Sequence, residues 1–209
     1  MTDYTVTVRP ESTSLQCFAV RALALFGWRV KFAPLPGPRG VVIAYPHTSN
    51  WDVVIGLLAK WAVGIRFRWL GKEALFRGVS GVLLGPLLRA WGCEPVERHA
   101  STGAIDRLAK RVRTADFYWL ALAPEGTRKY RDNLRSGFYH IARGAGVPLG
   151  LACFDYQKKE VRLVDYVTLT GNLEADLARI RAVLGESAGL RPECAAPVRF
   201  AEEQRETVE

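Results

Sequence analysis

A histidine and an aspartate stand five residues apart in the segment His47-Thr48-Ser49-Asn50-Trp51-Asp52, and the two side chains could act as a general base and its orienting acid. On a continuous helix, residues five apart point about 140° away from each other and cannot share a hydrogen bond. His47 must therefore lie outside a helix if the pair is to form. Pro46 favours this arrangement because proline biases the chain around it away from helix.

A helix that begins just before Asp52 would complete the geometry. Ser49 and Asn50 are both common N-cap residues, and either would place Asp52 in the first turn. The helix dipole and the free N–H groups there stabilise an ionised carboxylate, which can accept a hydrogen bond from one imidazole nitrogen and leave the other as a base. The alternative is structural: a capping carboxylate beside a surface histidine.

Strand-like and helix-like segments alternate along the chain. Apolar runs predict strands over residues 41–45, 65–70, 93–98, 117–123, 147–154 and 161–169. Helices are predicted over residues 14–32, 50–64, 73–90, 102–114, 136–145 and 173–184. The alternation indicates βαβ units and hence an α/β fold, a single domain whose mixed, mostly parallel sheet is flanked by helices.

Polar clusters follow three of the predicted strands, and ligands of such sheets bind beyond the carboxyl ends of the strands. Lys72 follows the second strand, and the turn Pro124-Glu125-Gly126-Thr127-Arg128 follows the fourth. Gly126 would let the backbone approach a ligand closely, Arg128 could grip a phosphate with its planar guanidinium, and Lys72 could add a point charge. An ion pair between Glu125 and Arg128 is the structural alternative for this turn.

The chain of 209 residues fits one domain, with an N-terminal amphipathic segment at 1–33, the main domain at 34–199 and an acidic tail at 200–209. A helix over residues 14–32 would present one apolar stripe, formed by Leu15, Ala19, Ala22, Leu23, Phe26 and Val30. Gly27 is a candidate for an earlier end of this helix. Such a helix could lie in a membrane surface or pack on the protein core, and its off-stripe cations favour the membrane.

The net charge of +8 indicates an anionic partner. The last ten residues hold four Glu and one Arg, so the rest of the chain is more basic still. A basic surface suits nucleic acid, an anionic membrane or a phosphate-bearing substrate, and it also favours solubility without any partner. Because the sequence contains no recognisable nucleic-acid-binding motif, we expect no nucleic-acid partner.

The four cysteines, at positions 17, 93, 153 and 194, lie far apart and have no histidine at metal-binding spacing. We therefore expect neither disulfides nor a metal site, and free thiols suggest a reducing compartment. Residues 1–11 lack a basic run leading into an apolar segment, and no apolar run reaches the ~18 uncharged residues of a spanning helix. These features predict a cytoplasmic protein, peripheral on the inner face of the membrane.

In their order and spacing, these clusters resemble the motifs of the glycerolipid acyltransferases, the lysophosphatidate (1-acylglycerol-3-phosphate) acyltransferase family. The segment from His47 to Asp52 resembles the H-x4-D motif, and the turn from Pro124 to Arg128 matches E-G-T-R. The remaining blocks of the family resemble Gly71-Lys72-Glu73-Ala74-Leu75-Phe76, Cys93-Glu94-Pro95-Val96-Glu97-Arg98 and Gly146-Val147-Pro148-Leu149. H-x4-D alone is a weak pattern, but the ordered set over residues 40–155 is specific.

The resemblance implies transfer of a fatty acyl group from acyl-CoA or acyl-carrier protein to the hydroxyl of a lysophospholipid-like acceptor. In the implied mechanism His47 takes the proton of that hydroxyl, which attacks the thioester directly without an acyl-enzyme, while Asp52 fixes the imidazole tautomer. Backbone N–H groups near His47 or Gly126 are candidates for stabilising the oxyanion. The acyl donor would be a co-substrate, and neither a cofactor nor a metal is implied.

The same resemblance assigns Lys72, Glu125, Gly126, Thr127 and Arg128 to substrate binding. Lys72 and Arg128 would hold the phosphate of the acceptor, and Glu125 would anchor the turn that presents Arg128. The implied partners are the lysolipid acceptor, the acyl donor and an anionic membrane surface.

Three residues depart from the pattern of the family: Pro46 stands where many members have Asn, Ala123 replaces the usual Phe, and Lys129 replaces the usual Ser. All three flank motifs that face the acceptor, so they bear on which acceptor is used and leave the general base unchanged.

Two other functions fit the same residues. A thioesterase or lipid hydrolase would use His47 to activate water instead of an alcohol. Ser49 does not lie in a G-x-S-x-G segment, so a serine nucleophile is not expected in such an enzyme. A non-catalytic basic membrane-binding protein would need neither His47 nor Asp52 for its function.

Overall fold

The computed structural model describes residues 3–96 and 103–201. Its strands are β1 (Arg29–Phe32), β2 (Arg39–Tyr45), β3 (Arg68–Lys72), β4 (Cys93–Val96), β5 (Tyr118–Leu122), β6 (Leu149–Asp155) and β7 (Glu160–Val167). Its α-helices are α1 (Ser14–Leu25), α2 (Trp51–Val63), α3 (Gly78–Ala90), α4 (Ala104–Thr114), α5 (Gly137–Ala145) and α6 (Leu173–Leu184). Short 3-10 helices at Glu73–Phe76 and Pro192–Cys194 complete the described elements.

The strands form one sheet in the order β1-β7-β6-β2-β5-β3-β4. Strands β2 to β6 are parallel to one another, whereas β7 runs antiparallel to β6 and pairs in parallel with β1. The carboxyl ends of five strands therefore meet at one edge of the sheet. The predicted fold class, a mixed and mostly parallel α/β sheet flanked by helices, is confirmed.

Helices cover both faces of the sheet because successive strand side chains point to opposite faces. Ile43 of β2 belongs to a core shared with α4, α5 and α6, and this core also contains Leu120 and Phe138. On the other face, α1 and α2 bury Ala19, Leu23, Ile55 and Ala59 against Phe154 and Val161. The sheet thus fixes the backbone positions from which the loops at its carboxyl edge extend.

The N-terminal segment differs from its prediction as one helix over residues 14–32. Thr13 and Gln16 form a capping box that starts α1, and the helix ends at Leu25. Gly27 adopts a left-handed conformation (φ +75°), after which residues 29–32 form β1 in the sheet. The helix ends there because Gly27 turns the chain and β7 offers parallel pairing for the residues that follow. Ala19 and Leu23 are buried as expected, whereas Leu15 and Phe26 of the predicted stripe are exposed.

Other boundaries shift for local reasons. The predicted helix over 73–90 is divided into the 3-10 helix and α3, and Pro86 lies within α3. Strand β3 begins and ends later than predicted. It extends to Lys72 because Gly71 has no side chain to collide with Cys93, so pairing with β4 continues. Glu97 and Arg98, predicted at the end of the third strand, lie outside the described residues.

Phe200 was predicted as the first residue of the acidic tail, but it is 3% exposed and packs against Phe138 and Tyr139. The rest of that tail, from residue 202, lies outside the described residues. Across residues 3–96 and 103–201, no helix is long and apolar enough to cross a membrane.

Candidate active site

His47 and Asp52 meet at the carboxyl edge of the sheet. His47 lies in the loop after β2, and Asp52 lies in the first turn of α2. The imidazole Nδ1 is 3.1 Å from Asp52 Oδ2, and the two side chains are 18% and 2% exposed. With Nδ1–H donating to the carboxylate, Nε2 keeps its lone pair and can accept a proton from a bound substrate.

Two further groups hold the Asp52 carboxylate in place. The backbone N–H of Ser49 donates to Oδ2 at 2.8 Å, and the Tyr156 hydroxyl donates to Oδ1 at 2.6 Å. Burial alone would raise the pKa of Asp52, but the hydrogen bonds from His47, Tyr156 and Ser49 outweigh it, so the pKa lies below its ordinary value. Asp52 is therefore an anion that orients the imidazole.

The carboxylate of Glu125 binds backbone N–H groups from two distant segments. Its Oε2 accepts from His47 at 2.5 Å and its Oε1 accepts from Ala196 at 3.1 Å, and the residue is 1% exposed. Burial raises the pKa of Glu125, and the two backbone hydrogen bonds oppose this rise. Sequence reasoning placed Glu125 among the substrate-binding residues or in an ion pair with Arg128. In the described part of the chain it makes no ion pair with Arg128, and its two hydrogen bonds fix the backbone of the His47 loop.

Residues 188–200, called here the C-terminal segment, pass behind the His47 loop. The N–H of Arg191 donates to Thr48 Oγ1 at 3.2 Å, and the Tyr45 hydroxyl donates to the Ala196 carbonyl at 2.8 Å. Burial, with the nearby Glu125 carboxylate, raises the pKa of Tyr45 to about 12, so the hydroxyl keeps the proton that it donates. Sequence reasoning missed this segment because backbone donors carry no residue-type signal.

Tyr156 is another site residue that sequence reasoning missed. It directly follows β6, so its position at the carboxyl end of a predicted strand was the only sequence feature that could have placed it in the site. Its N–H donates to the carbonyl of Ala188 at 2.8 Å, and its ring packs edge-on against Trp28 at 4.8 Å between centroids. Burial and the hydrogen bond to Asp52 raise the pKa of Tyr156, so its hydroxyl remains a donor at neutral pH.

The turn after β5 lies at the same carboxyl edge of the sheet as His47 and is followed by several arginines. Gly126 adopts φ +66°, and a Cβ at this position would lie 2.8 Å from Nε of Arg135. The Thr127 hydroxyl accepts from the N–H of Lys129 at 3.3 Å. Within the described residues, the Nε atoms of Arg128 and Arg131 are buried without a hydrogen-bond partner. Buried donors of this kind cost stability unless a ligand satisfies them, so this position could bind an anion.

One cavity of about 1290 Å³ contains most of these groups in its wall. His47, Asp52, Lys72, Gly126, Thr127 and Arg128 of the predicted site line it, whereas Glu125 lies behind the wall. Arg131 and Arg135, which sequence reasoning did not single out, add to its positive charge. The structure thus brings the predicted base, its acid and both predicted cations to a single cavity.

The rest of the cavity wall is mainly apolar and belongs to both faces of the sheet. The volume exceeds the roughly 300–1,000 Å³ of ordinary small-ligand pockets. Between α2 and the sheet, the lining residues are Val42, Ala44, Val53, Gly56, Leu57, Ala59, Val63, Phe67, Ala121, Ala152, Phe154 and Leu163. Lys60 also lies on this wall, where its ammonium group donates to the carbonyl of Trp91 and burial lowers its pKa.

Backbone N–H groups near His47 or Gly126 were the predicted oxyanion stabilisers. The N–H groups of these two residues themselves both donate hydrogen bonds within the protein. His47 N–H donates to Glu125, and Gly126 N–H donates to the carbonyl of Ala123 at 3.1 Å.

Among the described residues, no cluster of three or more His, Cys, Asp or Glu side chains could hold a metal ion.

The fold and the site together define an α/β protein with a paired histidine and aspartate in the wall of a cavity that is both apolar and cationic. The sequence matches the family model named Acyltransferase over residues 30–150, so the chain belongs to the Acyltransferase family and is an acyltransferase. The family indicated by the sequence motifs is thereby confirmed.

Among solved structures, the fold is similar to that of the 1-acyl-sn-glycerophosphate (LPA) acyltransferase PlsC from Thermotoga maritima. The match has a TM-score of 0.54 at 18% identity and covers 81% of this chain and 75% of that one. At this identity the likeness supports the fold alone. No curated protein sequence gives a significant match.

Proposed function

We propose that this acyltransferase moves a fatty acyl group from an acyl thioester, either acyl-CoA or acyl-carrier protein, to the hydroxyl of a lysophospholipid-like acceptor. The observation that carries the proposal is the position of His47. Its Nδ1 is held by Asp52, and it lies in the wall of a cavity that combines apolar surface with Lys72 and Arg128.

In the proposed reaction, Nε2 of His47 takes the proton of the acceptor hydroxyl as the hydroxyl oxygen attacks the thioester carbonyl carbon. The tetrahedral intermediate then collapses and expels the thiolate, which receives the proton from the imidazolium. Asp52 stabilises the imidazolium through Nδ1 and prevents the ring from turning. Because the alcohol attacks directly, the reaction needs no acyl-enzyme, metal or cofactor.

Lys72 and Arg128 would bind the phosphate of the acceptor. An arginine guanidinium offers two parallel N–H donors to phosphate oxygens, and a lysine adds a point charge. The buried Nε of Arg128 supports this role, because a bound phosphate would satisfy a donor that otherwise lacks a partner in the described chain. Gly126 and Thr127 would shape the turn beside the phosphate.

The apolar wall between α2 and the sheet would hold the acyl chain. Side chains that contribute little volume, such as Ala44, Gly56, Ala59 and Ala121, leave this space open. Reaction at the surface of a membrane, on its cytoplasmic side, would supply the lipid acceptor, and four free cysteines suit a reducing compartment.

Labelled acyl-CoA or acyl-carrier protein, incubated with a panel of lysolipids, tests the proposal by its products. We expect acylated lipid from the wild type and no measurable transfer from His47→Ala. His140→Ala is the matched control, since His140 is exposed on α5. Free fatty acid without acylated lipid, across donors and acceptors, would instead identify a thioesterase or lipid hydrolase. Full activity of His47→Ala would exclude the proposed base.

A further inference from the structure

Helix α3 exposes apolar side chains on the face that points away from the cavity. Val82 and Leu83 are 76% and 73% exposed, and Leu87 is 43% exposed. With Pro86 and Ala90, which are also exposed, they occupy an arc about 140° wide around the helix. This arc is called here the outer face of α3.

The inner side of the same helix is also apolar. Leu84 and Leu88 line the cavity, and Gly81 packs so closely on Phe76 that a Cβ would lie 2.2 Å from its backbone. Arg89 is the one charged residue of α3, and a helix that is apolar over most of its circumference is normally buried in a core or in lipid. Within the described residues nothing covers the outer face, and exposed apolar surface of this kind marks an interaction site.

We propose that the outer face of α3 docks on an anionic lipid bilayer and lies in the plane of its interface. This inference rests on the proposed function and specifies where the enzyme meets its lipid. Thirteen residues of helix are about 20 Å long, too short to span a hydrocarbon core of about 30 Å, so the helix lies flat.

The charges around α3 favour lipid over a second copy of the chain. Over residues 72–90 the charged side chains are Lys72, Arg77 and Arg89 against Glu73 alone. All three cations are exposed, and cations that flank an apolar helix face attract anionic headgroups. A dimer formed through the same face would bring like charges together and would be opposed by their repulsion.

The position of α3 relative to the cavity explains why the enzyme should contact lipid through this helix. Leu75, Leu84 and Leu88 line the same cavity as His47 and Lys72. A bilayer in contact with the outer face would therefore border the cavity wall. A lysolipid could move from the bilayer toward His47 with its apolar part continuously covered by apolar side chains.

Helix α1, the segment in which the sequence suggested membrane attachment, is the competing surface. It exposes Phe18 and Leu25 at 59% and 81%, but Arg21 is its sole charged residue. No residue of α1 lines the described cavity. Its exposed side chains are therefore less suited to delivering an anionic amphiphile to the site, and they serve as the comparison in the test.

Flotation with mixed phosphatidylcholine–phosphatidylglycerol vesicles tests the docking surface. The double variant Val82→Glu/Leu83→Glu should bind these vesicles about tenfold more weakly than the wild type, or worse, because two carboxylates replace inserted apolar groups. Phe117→Glu is the matched control, since Phe117 is 46% exposed at the opposite edge of the sheet, and it should bind normally. Circular dichroism and thermal unfolding should show that all variants remain folded.

Transfer assays separate this inference from the proposed function. The double variant should keep wild-type turnover with a short-chain acceptor dissolved as monomers and lose about tenfold with acceptor embedded in vesicles. If the wild type transfers no acyl group, the proposed function fails, and the flotation result still decides the docking surface.

Three results would overturn the inference. The first is unchanged vesicle binding by Val82→Glu/Leu83→Glu. The second is loss of binding in Phe18→Glu/Leu25→Glu with α3 variants unaffected, which would assign docking to α1. The third is a wild-type dimer, detected by sedimentation velocity without vesicles, that the α3 substitutions dissociate.

Discussion

Glu125 holds His47 by its backbone: Oε2 accepts the His47 N–H at 2.5 Å, while Oε1 accepts the N–H of Ala196 at 3.1 Å. The carboxylate thus joins the His47 loop to the C-terminal segment from a position that is 1% exposed. We therefore expect Glu125 to affect activity indirectly, through the position of the imidazole.

Glu125→Gln should destabilise the protein and slow turnover. A glutamine offers one acceptor oxygen, so one of the two backbone N–H groups would face the amide NH2 and lose its partner, at a cost of about 1–3 kcal/mol. We expect a lower free energy of unfolding in urea and a reduced kcat, because the His47 loop is no longer held at both contacts. Glu174→Gln removes the same charge from an exposed position in the first turn of α6; it should leave kcat unchanged and cost only the ~0.3–1 kcal/mol of a carboxylate at a helix N-terminus.

Tyr156→Phe should raise the pKa of Asp52 and lower kcat. Removal of the hydroxyl deletes one of the hydrogen bonds that favour the ionised carboxylate, so the pKa moves upward and orientation of the imidazole weakens. We expect kcat to fall by about tenfold, a part of the roughly 10²–10⁴-fold that a positioned general base contributes, and the carboxyl titration can be followed by NMR. Tyr166→Phe removes the hydroxyl that donates to Ala33, away from the site, and should cost stability alone. Identical titration and kcat in Tyr156→Phe would show that the contact has no positioning role.

Arg128→Ala should discriminate between acceptors with and without a phosphate. If the guanidinium binds the phosphate equally in ground and transition states, the KM for a phosphate-bearing acceptor rises; if it also positions the hydroxyl, kcat falls. An acceptor of the same chain length without phosphate should be affected much less. Unchanged kinetics with the phosphate-bearing acceptor would mean that Arg128 is structural.

Asp52 should make stability depend on pH in the acid range. Its pKa in the folded protein lies below the ordinary value of 3.8, so the unfolded state takes up the proton more readily. The stabilisation is present above pH 3.8 and is lost as the pH falls through the lower pKa of the folded protein. Urea unfolding at several pH values should therefore show a difference between wild type and Asp52→Asn that shrinks toward low pH.

Glu125 should show the opposite pH dependence, because its pKa is raised above the ordinary value of 4.5. Its contribution is fully present below pH 4.5 and is lost as the pH rises through the pKa of the folded protein. Glu125→Gln should remove this dependence. Parallel profiles for the wild type and both variants would contradict the two assigned pKa directions.

The sequence was sufficient for those parts of the site that depend on local pattern. Alternating strands and helices predicted the sheet, and the carboxyl edge of parallel strands predicted that His47, Lys72 and Arg128 would lie near one another. His47 and Asp52 are five residues apart, so their contact depends only on local structure: the loop that holds His47 and the start of α2, which holds Asp52.

Contacts between distant segments could not be predicted in this way. Tyr156 reaches Asp52 across 104 positions, and Ala196 reaches Glu125 across 71. Neither contact has a sequence pattern that predicts the partner, since any tyrosine hydroxyl or backbone N–H could make the hydrogen bond. The end of α1 was missed for a related reason: β1 forms because β7, more than a hundred residues later, offers it an edge.

The C-terminal segment also bears on the order in which the site is assembled during synthesis. The ribosome makes His47, Asp52 and Glu125 long before Ala196, whose N–H completes the binding of the Glu125 carboxylate. A nascent chain that still holds residues 188–200 inside the ribosome would lack this contact and also the Phe200 side chain, which lines the cavity and packs in the core. The support of the His47 loop and the wall of the cavity would thus be completed together, late in synthesis.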